Sequence, residues 1–256
     1  MISTFDQLAI GFRSYNKAVN IIFSQKLLKY FIIPVILNLA FFYLAWYTGG
    51  KLVDYTLDHI KQWLNFSEFW NSFLEGLVMV LVRLLVIVVF IFLGGFIIIM
   101  LMTPIYAVLS EKTEFYYNKK TYNVTVKQFL RDIVRGLTLA LRNMGIEVLF
   151  TIILFTAGLI PVIGWFSPIV LFFISSYFFG FSFMDFSNER LGRNRQQSIT
   201  FTRKYKWVAI ANGSVYALLL LTFCGTALAA FTGGVSTVAA TISMLEIEQI
   251  ENKLKH

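Results

Sequence analysis

Hydrophobic positions along the chain fall into one amphipathic stretch and four long apolar ones. Within residues 1–29, Phe5, Leu8, Phe12, Tyr15, Val19 and Ile22 recur at helical spacing, opposite Arg13 and Lys17. That stripe predicts an interfacial helix lying on a membrane, with Thr4 or Ser3 as its cap; the alternative is a surface helix packed on the rest of the protein. The first apolar run, 30–48, is long enough at about 1.5 Å per residue to cross a hydrocarbon core of about 30 Å. It carries Pro34 and Asn38, and Gly49-Gly50 is expected to end it. The second run, 76–109, is broken only by Arg83. A helix of that length measures about 50 Å, so it must tilt or protrude beyond the bilayer.

The last two runs, 148–183 and 208–245, are interrupted. The first contains Ile160-Pro161-Val162-Ile163-Gly164-Trp165, a turn signal rather than a helix interior. Thr232-Gly233-Gly234 takes the same part in the second, so each run predicts a helical hairpin. Val148 to Ile160 gives only 13 residues and Val235 to Leu245 only 11, below the roughly 17 needed to cross. The hairpins are therefore expected to be partly re-entrant, with turns covered by protein or water; six full spans are the alternative. Segment 51–75 mixes Asp54, Asp58, Glu68 and Glu75 with Lys51, Lys61 and the headgroup-seeking Trp63, Phe69 and Trp70. Segment 110–147 reads as a polar extension of the second long helix followed by an amphipathic one. Val126, Phe129, Leu130, Ile133, Leu137 and Leu141 line one face of that second helix. Residues 184–207 are basic, and 246–256 form a tail.

Composition fixes the solvent. The chain is 57% hydrophobic and 14% charged, with mean hydropathy +0.70, whereas a soluble domain carries about a quarter charged residues. The fold class is an all-α integral membrane protein of one domain, with two long transmembrane helices, two hairpins and an amphipathic N-terminal helix. Loop charge sets the orientation. Four Lys/Arg lie in 1–30, two in 51–75, seven in 109–147, six in 183–207 and two after Leu245. The excess places the N-terminus, 109–147 and 183–207 in the cytoplasm, 51–75 outside, and the C-terminus back in the cytoplasm. The net charge of +8 then serves anionic lipid rather than nucleic acid. Scattered Arg13, Lys17, Lys26 and Lys29 argue against a cleavable signal peptide.

The lone Cys224 allows no internal disulfide, and His59 and His256 have no zinc-like spacing. No phosphate loop, H-E-x-x-H or G-x-S-x-G occurs, so neither catalytic residues nor a metal or cofactor is expected.

Several short motifs, in order along the chain, carry a resemblance. They are Phe23-Ser24-Gln25-Lys26-Leu27-Leu28-Lys29-Tyr30-Phe31-Ile32-Ile33-Pro34 followed by Asn38, Thr103-Pro104-Ile105-Tyr106-Ala107-Val108-Leu109-Ser110-Glu111-Lys112, Ile160-Pro161, Phe183-Met184-Asp185-Phe186, and Val238-Ala239-Ala240-Thr241. The chain resembles CysZ-type sulfate transporters and the wider etoposide-induced-protein domain family. The resemblance implies a bacterial inner-membrane protein that admits sulfate for cysteine synthesis. It also implies two long spanning helices, two pairs of hemi-penetrating helices and assembly as a homo-oligomer. The family's loop of glycine, leucine and two arginines falls on Lys26, Leu27, Leu28 and Lys29, which become the anion-binding candidates. Here Lys26 replaces the glycine, Leu28 the first arginine and Lys29 the second. Lysine attracts an oxyanion but lacks the planar bidentate fork of arginine.

Secondary candidates are the intramembrane and boundary charges. Arg83 either snorkels to the outer interface or lines an anion path. Glu111 and Glu114 share a helix face near the basic segment of Arg135, as an ion-pair network or as gating or proton-coupling groups. Asp185 is expected to pair with Arg190 or to cap a helix. A dianion entering a negative-inside cell climbs about 2.3 kcal/mol per charge per 100 mV, so uptake must be coupled or run down a chemical gradient. Proton symport would use Glu111, Glu114 or Glu147. The competing class is a lipid-organising scaffold, anchored by amphipathic helices at both ends, including Ile247, Ile250 and Leu254. The expected partners are therefore sulfate or a similar oxyanion, membrane lipid and further copies of the chain.

Overall fold

The computed structural model describes residues 2–63, 73, 76, 77, 80, 81, 99–117, 119, 126–158, 161–222 and 225–255. Among these residues there is no strand, and the elements are helices joined by short turns. Helix α1 spans Thr4–Ser24, and Ser3, one of the two expected caps, accepts the Asp6 N–H at 3.2 Å. It buries Ile10, Gly11, Ser14, Ala18 and Ile22 against the helices described below as α7 and α8. Phe5, Phe12, Val19 and Phe23 stay exposed on the other side. The expected single stripe is thus divided between a protein-facing and an outward-facing apolar surface.

A 3-10 turn over Leu27–Phe31 leads into α2, Ile32–Trp63. Gly49-Gly50 does not end this helix, which runs on through Lys51 to Trp63. A glycine keeps its backbone N–H, so without a following proline the hydrogen-bond ladder survives. Nothing lies within 4 Å of where a Gly50 Cβ would sit, so no neighbour forces a break. Helix α3 covers residues 99–117 and carries the second apolar run into its predicted polar extension. Arg83 lies outside the described residues.

The third run is also longer than its sequence breaks suggest. Helix α4, Val126–Ala157, joins the amphipathic segment and the first hairpin arm into one 32-residue rod. The 13-residue arm was an underestimate, because the polar Arg142, Asn143 and Glu147 ahead of Val148 do not end the helix. The chain leaves α4 at Gly158, and α5, Pro161–Arg190, opens on proline, which suits a first helical position whose N–H would have no partner anyway. Helix α6, Arg195–Lys204, is set by a capping box between Asn194 and Gln197. Helices α7, Lys206–Leu220, and α8, Gly225–Lys255, pack on each other and carry the last apolar run.

Its turn is not at Thr232-Gly233-Gly234, which lies inside α8, but begins at Leu221-Thr222. The glycines are there for packing. A Cβ on Gly233 would collide with the Tyr106 ring, and one on Gly234 with the Phe31 ring. Among the described residues, three helical segments are long and apolar enough to cross a membrane: Val134–Ala157, Gly164–Arg190 and Leu228–Lys253, of 24, 27 and 26 residues.

Helix α8 is the centre of the bundle and touches α1, α2, α5 and α7. Helices α5 and α7 cross through small residues on both sides. A Cβ on Gly180 would strike the Ala209 carbonyl, and one on Gly213 the Ser176 carbonyl. Ser176/Gly180 and Ala209/Gly213 therefore form two four-residue small-residue repeats that let the backbones meet, as in membrane helix pairs generally. Gly213→Ala is expected to cost about 1–3 kcal/mol by overpacking. Gly50→Ala should instead be neutral or stabilising by up to about 1 kcal/mol, through helix propensity. Melting temperatures of the two variants in detergent test this contrast, and equal values would contradict the tight crossing.

Candidate functional site

The basic loop is shaped by the end of α1. Gln25 N–H returns to the Ile21 carbonyl at 2.9 Å, and Lys26 then turns left-handed, with φ 54° and ψ 34°. A non-glycine residue pays about 1–2 kcal/mol for that conformation. The glycine of the resembling loop falls on this position, which explains why glycine suits it. Leu27 and Phe31 enter the core, at 1% and 3% exposure, and pin the turn. Lys26, Leu28 and Lys29 face outward, with the Lys29 ammonium 5.3 Å from the Tyr30 ring centroid. Three of the four loop candidates are thus accessible, and Leu27 is an anchor. Lys26→Gly should raise thermal stability by up to about 1 kcal/mol, because relief of the left-handed strain outweighs the entropy glycine adds to the unfolded chain. An unchanged or lower melting temperature would show that the lysine is unstrained.

The loop is joined to a buried charge network through α8. The Phe31 ring packs over Gly234 and 5.0 Å from the Phe231 ring. Tyr106 packs over the adjacent Gly233, and its hydroxyl donates to the Ala230 carbonyl at 2.9 Å. One residue on, the Ala107 carbonyl accepts from the Arg190 guanidinium at 3.3 Å. Arg190 also holds Glu114 at 3.0 Å and donates to Ser110. Ser110 lies 2.5 Å from the Thr241 hydroxyl of α8. Glu114 is 1% exposed, so its charge is matched inside the protein rather than by water. Glu111, on the same helix, is half-buried and close enough for its charge to act on Arg190.

Asp185 does not pair with Arg190. Its carboxylate takes Arg135 of α4 at 3.2 Å, and the same guanidinium donates to Ser198 at 2.7 Å. Asp185 sits five residues before Arg190 on α5, and that spacing turns it toward α4 while Arg190 faces α3. Arg135, Ser110, Thr241 and Tyr106 were absent from the sequence candidates, although the last three lie in quoted motifs. On the flank, Lys17 binds Glu246 at 2.6 Å, Arg193 binds Glu248 at 3.0 Å and Lys204 binds Glu251 at 2.5 Å, tying the end of α8 down. The Glu251 hydrogen bond holds the Lys204 ammonium above the usual lysine range. Among the described residues no group of three metal-ligating side chains occurs.

Apolar helices of spanning length around a core of matched charges define an all-helical membrane protein. The chain belongs to the sulfate transporter CysZ/etoposide-induced protein 2.4 family, which it matches over residues 14–231. The match runs from the middle of α1 to Phe231, so it includes the basic loop, Glu114, Asp185 and Arg190 and stops short of Val238-Ala239-Ala240-Thr241. No curated protein matches the chain.

Proposed function

We propose that this protein carries sulfate or a related small oxyanion across the bacterial inner membrane, feeding sulfur assimilation and cysteine synthesis. The observation that carries the reading is the loop at Lys26–Lys29. It lies within the family match, and it holds a lysine in a strained left-handed turn beside a second exposed lysine. Strain retained at a charged position points to a role for that charge. Neither lysine has a carboxylate partner among the described residues, so both ammonium groups are open to an anion. The α2 dipole adds its positive end on the same side.

In this reading the loop collects the oxyanion at the cytoplasmic boundary, both termini are cytoplasmic, and Arg190 with Glu114 holds the helices in register behind it. The polar contacts Glu147–Ser175 and Asn143–Ser182 between α4 and α5, and Asn212–Ser243 between α7 and α8, are buried pairs rather than a wide pore, which supports a path shared between copies in a homo-oligomer. Arg83, Glu111, Glu114, Asp185 and Arg190 are the secondary pathway or gating residues of this proposal. Binding of labelled sulfate to the purified protein in detergent, with chloride and phosphate as competitors, tests it. Saturable binding displaced by oxyanions and not by chloride is expected. Absence of binding to folded protein would refute the loop as a sulfate site.

A further inference from the structure

Between α4 and α5 a polar seam runs past the paired charges above, to a carboxyl they do not reach. Glu147 lies within the Val134–Ala157 segment and is 2% exposed. Its Oε1 accepts the Ser175 hydroxyl at 2.5 Å, while its Oε2 is buried with no partner among the described residues. One turn earlier on the same face of α4, Asn143 is fully buried and donates to Ser182 at 3.4 Å. The Asn143 Oδ1 and the Ser176 hydroxyl, across on α5, also lack partners. Ser182 then lines a small cavity with Thr103 and Asp185, and Asp185 leads through Arg135 to Ser198 of α6. Polar groups therefore run from the cytoplasmic segment, by the loop-charge orientation, to a single carboxyl inside the hairpin.

No ion pair reaches Glu147 among the described residues. From residue 143 to 158 it is the one charged residue of α4, and α5 carries none from Pro161 to Met184. The titratable neighbours along the hairpin are Arg142 on α4, Tyr177 on α5 and, at the cytoplasmic end, Asp185 with Arg135. Each lies off the Glu147–Ser175 contact: Tyr177 is within electrostatic range of Arg142 and Arg203, and Asp185 is held by Arg135. A carboxylate with one hydrogen bond and no counter-charge is disfavoured in a membrane interior. A neutral carboxyl is compatible with it, because the proton turns the unpartnered oxygen into a donor.

We propose that Glu147 is a proton-binding site, reached from the cytoplasmic side along the α4–α5 seam, whose protonation is coupled to oxyanion passage. The proton adds to the Glu147 carboxylate on one side and leaves through the seam on the other, so each turnover offsets one negative charge of the anion. The coupling half of this proposal rests on the transport reading above; the proton site does not.

The test uses the full chain in liposomes, wild type beside Glu147→Gln and Glu147→Asp. Infrared difference spectra between acid and alkaline buffer should show a protonated-carboxyl band in the wild type that is missing in Glu147→Gln and shifted in Glu147→Asp. With the membrane potential clamped at zero, acid on the side where labelled sulfate starts should raise its accumulation about tenfold per coupled proton for each unit of pH gradient. Glu147→Gln should keep sulfate exchange and lose that stimulation. A carboxyl band or gradient response unchanged in Glu147→Gln would overturn the proposal, as would the same stimulation from a sodium gradient alone. No sulfate flux in the wild type, with the infrared band still lost in Glu147→Gln, would refute the transport reading while keeping the proton site.

Discussion

Arg190→Leu is expected to destabilise the folded protein by about 3–5 kcal/mol, because it removes a guanidinium paired with a buried carboxylate. Arg190 is the hub of the α3–α5 contact: it binds Glu114 at 3.0 Å, Ala107 carbonyl at 3.3 Å and the Ser110 hydroxyl. Glu114 is 1% exposed and cannot turn to bulk water when the guanidinium goes. The second variant that makes this prediction sharp is Arg190→Leu with Glu114→Leu. Replacing both partners of a buried pair by apolar groups is often close to neutral, so the double variant should recover most of the lost stability. Thermal melting in detergent reads both. A double variant as unstable as the single would show that Arg190 acts through Ser110 and the Ala107 carbonyl instead.

Lys26→Ala with Lys29→Ala should weaken sulfate binding about a hundredfold. Hydrogen bonds to charged groups are worth about 1.5–3 kcal/mol each, and every 1.4 kcal/mol is tenfold. Each single variant should then lose about tenfold, and the double should be near additive unless both lysines hold the same oxygen. Lys29→Arg is informative in the other direction. It returns one member of the family's arginine pair and supplies a bidentate donor, so binding should tighten. Equal affinity for wild type and double variant, measured at one fixed salt concentration, would remove the loop from the site.

The sequence makes some of this architecture legible and hides the rest for identifiable reasons. Pro161 locates the start of α5 because proline is a local signal that needs no partner. Gly233-Gly234 misleads because the rings that fill the notch belong to Phe31 and Tyr106, well over a hundred residues away in sequence. Nothing local separates a glycine that turns the chain from one that admits a neighbour. Gly49-Gly50 misleads in the same way, since α2 simply continues. The charges follow the same division. That Glu114, Asp185 and Arg190 stand at the ends of apolar runs was visible in the sequence. Which acid meets which base was not, because Asp185 and Arg135 are 50 positions apart and Glu114 and Arg190 are 76 apart. The left-handed turn at Lys26 was legible only through the family's glycine, since lysine itself gives no sign of a positive φ.

These pairings also limit how the protein can work. Asp185 and Arg190 are both occupied by partners on other helices, so neither offers a bare charge to a passing anion in this conformation. The basic loop offers two exposed cations with no carboxylate partner among the described residues, and Glu147 is the buried acid without a cationic partner among them. Under the proposed reading, anion capture falls on the basic loop and charge compensation on α4.

The most direct measurement is the flux of labelled sulfate into liposomes containing the purified chain, with empty liposomes and the Lys26→Ala, Lys29→Ala variant alongside. The account predicts saturable uptake, competed by oxyanions and not by chloride, and lost in the variant. Folded protein that moves no oxyanion above the empty liposomes would contradict it and leave a membrane scaffold of the same fold.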